Sequence, residues 1–377
     1  MVNSMGFETA RDAWVYNFSQ KILLDNIKKM IEFFNTQIGK PEPDYDPAKI
    51  SWTRSLLGYH KNKQAIAYDC KKAMAGLYRP YCKQQLYYGE RVINVRGQFD
   101  MFYPTPDTQN LLIIVSGIGV TKDWSVIIAN TIADIQLLAN GQCFPLYYYE
   151  EKAQTGKTTG PIGQMRLDGT SIEAELIRKS GISDFILYEA RARYGAAVKR
   201  EDIFFYVYGY LHNPKYRAAF ADDLKKSLPR IQLVEKPEDF WAFSKAGRGL
   251  AKLHLEYKGV PPLPEVAVSG DTAKLHVTKM RFKSKEEKGT IIFNENITVS
   301  NIPARAYEYV VNGKSAVEWV MERYQVKTDK DSGILNDPNL YAEETGRPKY
   351  ILDLLMSVIA VSVRTMDIVE ALPEVQW

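Results

Sequence analysis

Apolar residues change their spacing several times along this chain, and that change limits the architectures open to it more than any other feature. From Thr9 to about Gln37, the residues Phe18, Ile22, Leu23, Ile27, Met30, Ile31 and Phe34 recur at helical spacing. Ser19 is the natural N-cap of that helix, which predicts an extended lead-in over Arg11 to Phe18. The proline-rich linker "GKPEPDYDPAK" closes the block. From Ile50 to about Glu151 the pattern turns strand-like, with "NLLIIVSG" and "CFPLYYYE" as short β-branched or aromatic runs. The polar stretch "EKAQTGKTTGPIG" after it reads as a surface loop.

Ile182 to about Tyr257 reads as helical. Asn213 and Pro214 form a cap and first-turn pair that opens a helix through "KYRAAFADDLKKSL", stopped by Pro229. In the last block "VTKMRF" and "GTIIFNENITV" are predicted strands joined by "KSKEEK". Ser315 and Glu318 make a capping box there, and Ile351, Leu354, Leu355, Val358 and Ile359 mark one face of a final helix. No fixed-period repeat and no regular βαβα rhythm is present. The expected class is α+β, strand-rich in the N-terminal half and helical in the second, not a regular doubly wound sheet.

Charge is unevenly spread. The formal net charge is +4, yet Arg54 to Arg96 holds nine lysines and arginines against only Asp69 and Glu90. Within it, "LYRPYCKQQLYYGERVINVR" from Leu77 to Arg96 interleaves rings with cations. Cations neutralise phosphates and tyrosines stack on bases, so this pattern suits a nucleic-acid surface. The residues alone leave a second reading open, in which Tyr78, Tyr81, Leu86 and Tyr88 are core and the charges are solvated outside it.

Enzyme signatures fail on spacing. "TGKTTG" lacks the glycine that a phosphate-binding loop needs five positions before Gly156, where Glu151 stands. Ser116-Gly117-Ile118-Gly119 lacks the third glycine of a dinucleotide fingerprint and is expected to be a tight turn. Pro106-Asp107 and Glu150-Glu151-Lys152 only loosely imitate a metal-dependent nuclease. His60, His212, His254 and His276 are scattered, with no nucleophile context. Cys70, Cys82 and Cys143 fit neither a disulfide framework nor a zinc site, which predicts a cytoplasmic location. No export signal or membrane-spanning run is visible.

A resemblance adds to this reading. "TARDAWVYNFS" (Thr9 to Ser19), "GLYRPYCKQQLYY" (Gly76 to Tyr88), "IVSGIGVTKDWSVIIANTIADIQ" (Ile114 to Gln136) and "CFPLYYY" (Cys143 to Tyr149) look like consecutive segments of one family. So do Glu201 to Ile231, Asp239 to Lys258 and Ala306 to Asn339. The chain resembles the C-terminal target-recognition (specificity) region of Type ISP restriction-modification enzymes and the DNA helicases related to them. That family implies one long polypeptide with a nuclease, an ATP-driven DNA motor, an adenine-N6 methyltransferase and a target-recognition domain.

The resemblance implies that this chain keeps only the last part. Residues 1–40 are then a helical connector from a methyltransferase core, with Trp14 and Phe18 as residues that a partner would cover, and 45–377 the recognition domain. Within that domain, 50–151 is strand-rich, 152–170 a loop, 182–257 helical and 264–377 α+β. The Asn-Pro-Pro-Tyr type of tetrapeptide is missing, so ATP, Mg and S-adenosylmethionine belong to the absent parts and no cofactor is expected here. The expected function is sequence-specific reading of double-stranded DNA without catalysis. Expected partners are DNA and the methyltransferase and helicase domains of the same polypeptide, with no membrane. Arg79, Lys83, Gln85 and Arg91 are the candidate base or phosphate contacts, and Arg54, Lys61, Lys63 and Lys122 the candidate phosphate contacts. Two alternatives stay open: a protein-docking domain, and a remnant nuclease or methyltransferase.

Overall fold

The computed structural model describes residues 2–105, 107–152 and 175–375. At its centre an antiparallel sheet runs in the order Ser4–Met5, Gln142–Pro145, Leu112–Val115, Val126–Ala129. The last two strands read LIIV and VIIA, with every residue buried. Successive strand side chains point to opposite faces, so a strand that is apolar throughout needs cover on both sides. The fold supplies two cores: Leu112, Ile114, Ile127 and Ala129 enter one, and Ile113, Val115, Val126 and Ile128 enter the other.

The first core is closed by a three-stranded sheet (Tyr16–Asn17, Cys82–Tyr87, Ala73–Arg79), the Gln20–Gln37 helix and the C-terminal Tyr350–Glu370 helix. Ser19 caps the Gln20 helix as expected, its hydroxyl accepting from the Ile22 amide at 3.1 Å. The lead-in is only partly extended: Asp12–Val15 is a helical turn and Tyr16–Asn17 is strand. Polar contacts bend it, since the buried Arg11 reaches the Val92 carbonyl and the Thr53 hydroxyl while Thr9 donates to Asp12.

Trp14 and Phe18 are not surface residues awaiting a partner, because they are 5% and 2% exposed and Phe18 packs 5.1 Å from the Tyr324 ring. Ser4–Met5 and Tyr16–Asn17 each pair with strands from beyond residue 80, which stitches the N-terminal segment into both sheets.

The second core lies under the helices Asp184–Tyr194, Arg200–Tyr210 and Pro237–Leu255, in the region predicted to be helical. Gly209 and Gly247 let the last two cross closely: a Cβ on Gly247 would stand 1.9 Å from the Phe205 carbonyl oxygen, and one on Gly209 2.3 Å from that of Phe243. Asn213 caps a helix as predicted, its side chain accepting from the Tyr216 amide at 3.0 Å. That helix stops at Ala219 and a second runs over Ala221–Lys226, because Phe220 leaves helical geometry at φ −112°, ψ 22°.

The last block builds a sheet in the order Ala267–Gly270, Ile297–Ser300, Ile291–Ile292, Arg281–Phe282. Only Arg281 and Phe282 of "VTKMRF" are strand. The Ser315/Glu318 capping box is formed, and the predicted apolar face of the final helix is buried. The architecture is α+β, as expected. From residue 153 onward the predicted 152–170 loop, with "TGKTTG", lies outside the described residues, as does Pro106. No described helix is long and apolar enough to cross a membrane.

Candidate nucleic-acid interface

The first half of the Leu77 to Arg96 segment belongs to a β-hairpin of Ala73–Arg79 and Cys82–Tyr87, and its strand geometry decides which side chains reach solvent. In Cys82–Tyr87 the residues Cys82, Gln84 and Leu86 are buried, while Lys83 and Gln85 on the other face are half-buried. The tyrosines do not form an outward stacking surface: Tyr81, Tyr87 and Tyr88 are at most 8% exposed. Tyr81 occupies the turn at φ 58°, a left-handed conformation that costs a residue with a Cβ about 1–2 kcal/mol. Its ring, 1% exposed and edge-on to Tyr257 at 5.2 Å, offsets that strain, since burying a large apolar side chain is worth about 1.5–3 kcal/mol.

Arg79, the first candidate contact, is turned inward. Its guanidinium donates to Asp134 at 2.8 Å and to Asp12 at 3.3 Å and stacks 3.9 Å from the Tyr78 ring centroid. Burial works to lower its pKa, but Asp134, Tyr78 and Asp12 more than reverse that and hold it above its ordinary value. Burial pushes the Asp134 carboxyl up to about 7, against the pull of Arg79. Arg79 therefore clamps the N-terminal helical turn to the sheet, and it leaves the set of candidate contacts.

The other candidates scatter. Lys83 donates to Asn130 at 2.9 Å, and Arg91 to the Ala65 carbonyl at 2.6 Å beneath the Tyr59 ring. Gln85 pairs in register with Asn17 and Ala75, and the buried Gln84 accepts from Asn336 at 3.1 Å. Arg54, Lys61 and Lys63 are exposed on or just after the Arg54–Lys61 helix. That helix is tied through His60 to the Gln37 carbonyl, at the far end of the Gln20 helix from Phe18. Eighteen helical residues separate those ends by about 27 Å. Lys122 is exposed in the Ser116 to Trp124 turn, beside Gly313.

A different basic group does assemble, drawn from distant parts of the chain. Burial pushes the Cys82 thiol up to about 11, and Arg323, Lys258 and Arg79 each pull it back, so all three lie within electrostatic reach of one point. Around it stand Lys83 on the hairpin, Lys258 after the Pro237–Leu255 helix, and Arg323 at the end of the Ala316–Arg323 helix. Lys327 on a short strand and Arg347 before the final helix complete the arc.

Arg323 and Lys314 share Glu322, and Lys314 is lowered by burial and by Arg323, Lys122 and Lys327. Lys258, Lys327 and Arg347 have no carboxylate within salt-bridge distance among the described residues. Lys258 is lowered to about 8, by burial first and then by Lys83. Its ammonium meets the rings of Tyr350 and Tyr341 at 5.2 and 5.8 Å. Such contacts contribute about 2 kcal/mol or more each when desolvated, against several kcal/mol for withdrawing an ammonium from water. The rings therefore offset much of that cost but supply no counter-charge, and an anion would.

Sequence reading missed Lys258, Arg323, Lys327 and Arg347 because no run of charge marks them. Lys258, Arg323 and Lys327 do lie inside the segments that carry the family resemblance. The histidines are mostly internal: His254 bridges Tyr208 at 2.6 Å and Thr365 at 3.0 Å, and burial holds His212 down to about 3. Among the described residues no cluster of three acidic, histidine or cysteine side chains could hold a metal. Glu150 pairs with Lys179 across a strand pair.

The model of the Type ISP C-terminal specificity domain matches residues 1–354. The chain belongs to that family. Solved structures agree with the match. A nuclease-deletion mutant of the Type ISP restriction-modification enzyme LlaGI, in complex with a DNA substrate mimic, is 35% identical over 99% of this chain with a TM-score of 0.83. The ATP-dependent Type ISP enzyme LlaBIII bound to DNA is 34% identical over 99% of it with a TM-score of 0.86. A DrdV–DNA complex is 27% identical over 100% of it with a TM-score of 0.82. This specificity domain spans between 23% and 36% of the length of those three chains. No curated protein matches it.

Proposed function

We propose that this chain is the sequence-specific, double-stranded DNA recognition module of a large restriction-modification polypeptide, and that it carries no catalysis of its own. The observation that carries the reading is the arc of cations around Cys82, partly buried and short of acidic partners, in a domain whose relatives were solved with DNA or a DNA mimic. Phosphate contacts fix register and base-edge contacts supply sequence. Lys83, Lys258, Lys327, Arg347, Arg323 and Lys122 take the first role in this reading. Gln85, half-buried on the hairpin face that carries Lys83, is retained for the second. Arg54, Lys61, Lys63 and Arg91 stand apart from the arc and are given peripheral roles at most. Nuclease, motor and adenine-N6 methyltransferase activities, with ATP, Mg and S-adenosylmethionine, are assigned to other parts of the intact polypeptide.

Selection from a randomised duplex library at moderate salt tests the reading. Enrichment of one short motif, with affinity falling steeply as salt rises, is the expected result. Recovery of no motif, or salt-independent binding, would refute it.

A second reading has one observation in its favour. Phe185 and Tyr188, both on the Asp184–Tyr194 helix, are 73% and 72% exposed, which suits docking against another protein domain. A mainly apolar dock would keep its affinity at high salt, so the same salt series separates the two surfaces.

A further inference from the structure

Within the arc, three cations make a smaller and more completely built unit. Lys83 comes from the hairpin, Lys258 from the turn after the Pro237–Leu255 helix, and Arg347 from the link between Pro338–Glu344 and Tyr350–Glu370. The amide of Asn130 holds the Lys83 ammonium at 2.9 Å without neutralising it. Tyr350 lies 5.2 Å from the Lys258 ammonium and 5.5 Å from the Arg347 guanidinium, so one ring contacts both charges. Tyr341 adds a second wall at 5.8 Å.

We propose that Lys83, Lys258 and Arg347 form one pre-built site for a backbone phosphodiester of bound DNA, with Tyr341 and Tyr350 as its floor. This deepens the DNA-recognition reading and rests on it. The geometry argues for an oxyanion because every charged partner is a donor. Arg347 offers a planar fork suited to two oxygens and the lysines offer point charges.

The groups facing Lys258 are Lys83 and the Cys82 thiol from the hairpin, Arg347 from the link, and the phenols of Tyr257, Tyr341 and Tyr350. None is a carboxylate. Lys258 releases its proton more readily than a free lysine because burial and then Lys83 and Arg347 oppose its charge. A phosphate oxygen arriving between these cations reverses that opposition, so binding takes up a proton when the pH is above about 8.

The experiment is a duplex titration by fluorescence anisotropy at several salt concentrations and at pH 7 and 9, using the selected sequence. It compares the wild type with Lys258→Met, Lys258→Arg, the double variant Lys83→Gln/Arg347→Gln, and Lys61→Gln as a charge-matched control. Thermal melts check that each variant is folded. Lys258→Met should bind about fivefold to tenfold more weakly at pH 7 and lower the salt slope by less than about 0.9, the value for losing a whole phosphate contact, because Lys83 and Arg347 remain on the same phosphate. Lys258→Arg should restore most of the affinity and abolish the weakening between pH 7 and 9, and Lys61→Gln should weaken binding by less than about twofold with the pH dependence kept.

Inorganic phosphate at matched ionic strength is the source control. If it competes at low millimolar concentration while Lys258→Met leaves duplex affinity intact, the site belongs to a free anion and the proposal is overturned. Steep, salt-dependent wild-type binding with folded variants of unchanged affinity and slope would overturn the proposal and leave the DNA-recognition reading standing. Absence of any duplex binding by the wild type would overturn both.

Discussion

Arg79 and Lys258 are both cations largely withdrawn from water within electrostatic reach of Cys82, and they differ in what surrounds them. Arg79 has two carboxylates, Asp134 and Asp12, within 3.3 Å. Lys258 has two more cations and a set of tyrosine rings. The first arrangement is complete, so its charge is structural. The second lacks its counter-charge, so its charged form is stabilised when something negative arrives. Buried positive charge is informative about binding only after its acids have been counted.

The largest expected effect breaks the compensated side. Arg79→Met leaves Asp134 buried beside Asp12, and removing one partner of a buried pair costs about 3 kcal/mol or more. Chemical denaturation at pH 8 should show that loss. The loss should shrink at pH 6, because the Asp134 carboxyl, already raised to about 7 with Arg79 present, then takes a proton. Duplex affinity of the folded fraction should be unchanged, and a specific loss of DNA affinity without loss of stability would put Arg79 back at the interface.

The next effect sharpens the uncompensated side. Lys258 has a folded-state pKa of about 8, below the ordinary 10.5, so between those values the unfolded chain binds more protons and stability rises with pH. DNA affinity should move the opposite way, weakening as pH rises through about 8. Melting curves and titrations across pH 7 to 10 should show the two trends diverging in the wild type, and Lys258→Met should remove this contribution from both.

The smallest effect concerns charges in the basic stretch but outside the arc. Lys61→Gln with Lys63→Gln removes two exposed cations near the far end of the Gln20 helix. Stability should stay within about 0.5 kcal/mol, the usual range for surface substitutions. Duplex affinity at moderate salt should fall by less than twofold, and a loss matching that of Lys258→Met would move the interface to that end.

What could be read from the sequence follows a physical division. Periodicity and caps are local, so the Ser19 cap, the Asn213 cap, the Ser315/Glu318 box and the buried face of the final helix were all legible. The LIIV strand was legible as a strand, but only the fold shows that its two faces serve separate cores. The basic stretch singled out a hairpin in which Arg79 proves to be ion-paired inside the fold. A side chain's orientation there depends on strand alternation and on Asp12 and Asp134, which lie 67 and 55 residues away from Arg79 in sequence. Arg347 and Lys258 come from separate turns, and no local pattern records that Tyr350 contacts both.

Lysine acetylation footprinting, read by mass spectrometry with and without the selected duplex, separates the arc from the basic helix. DNA should protect Lys83, Lys258 and Lys327, high salt should reverse the protection, and Lys61 and Lys63 should react equally in both states. Protection confined to Lys61 and Lys63, with Lys258 equally reactive whether or not duplex is bound, would contradict DNA binding at the arc.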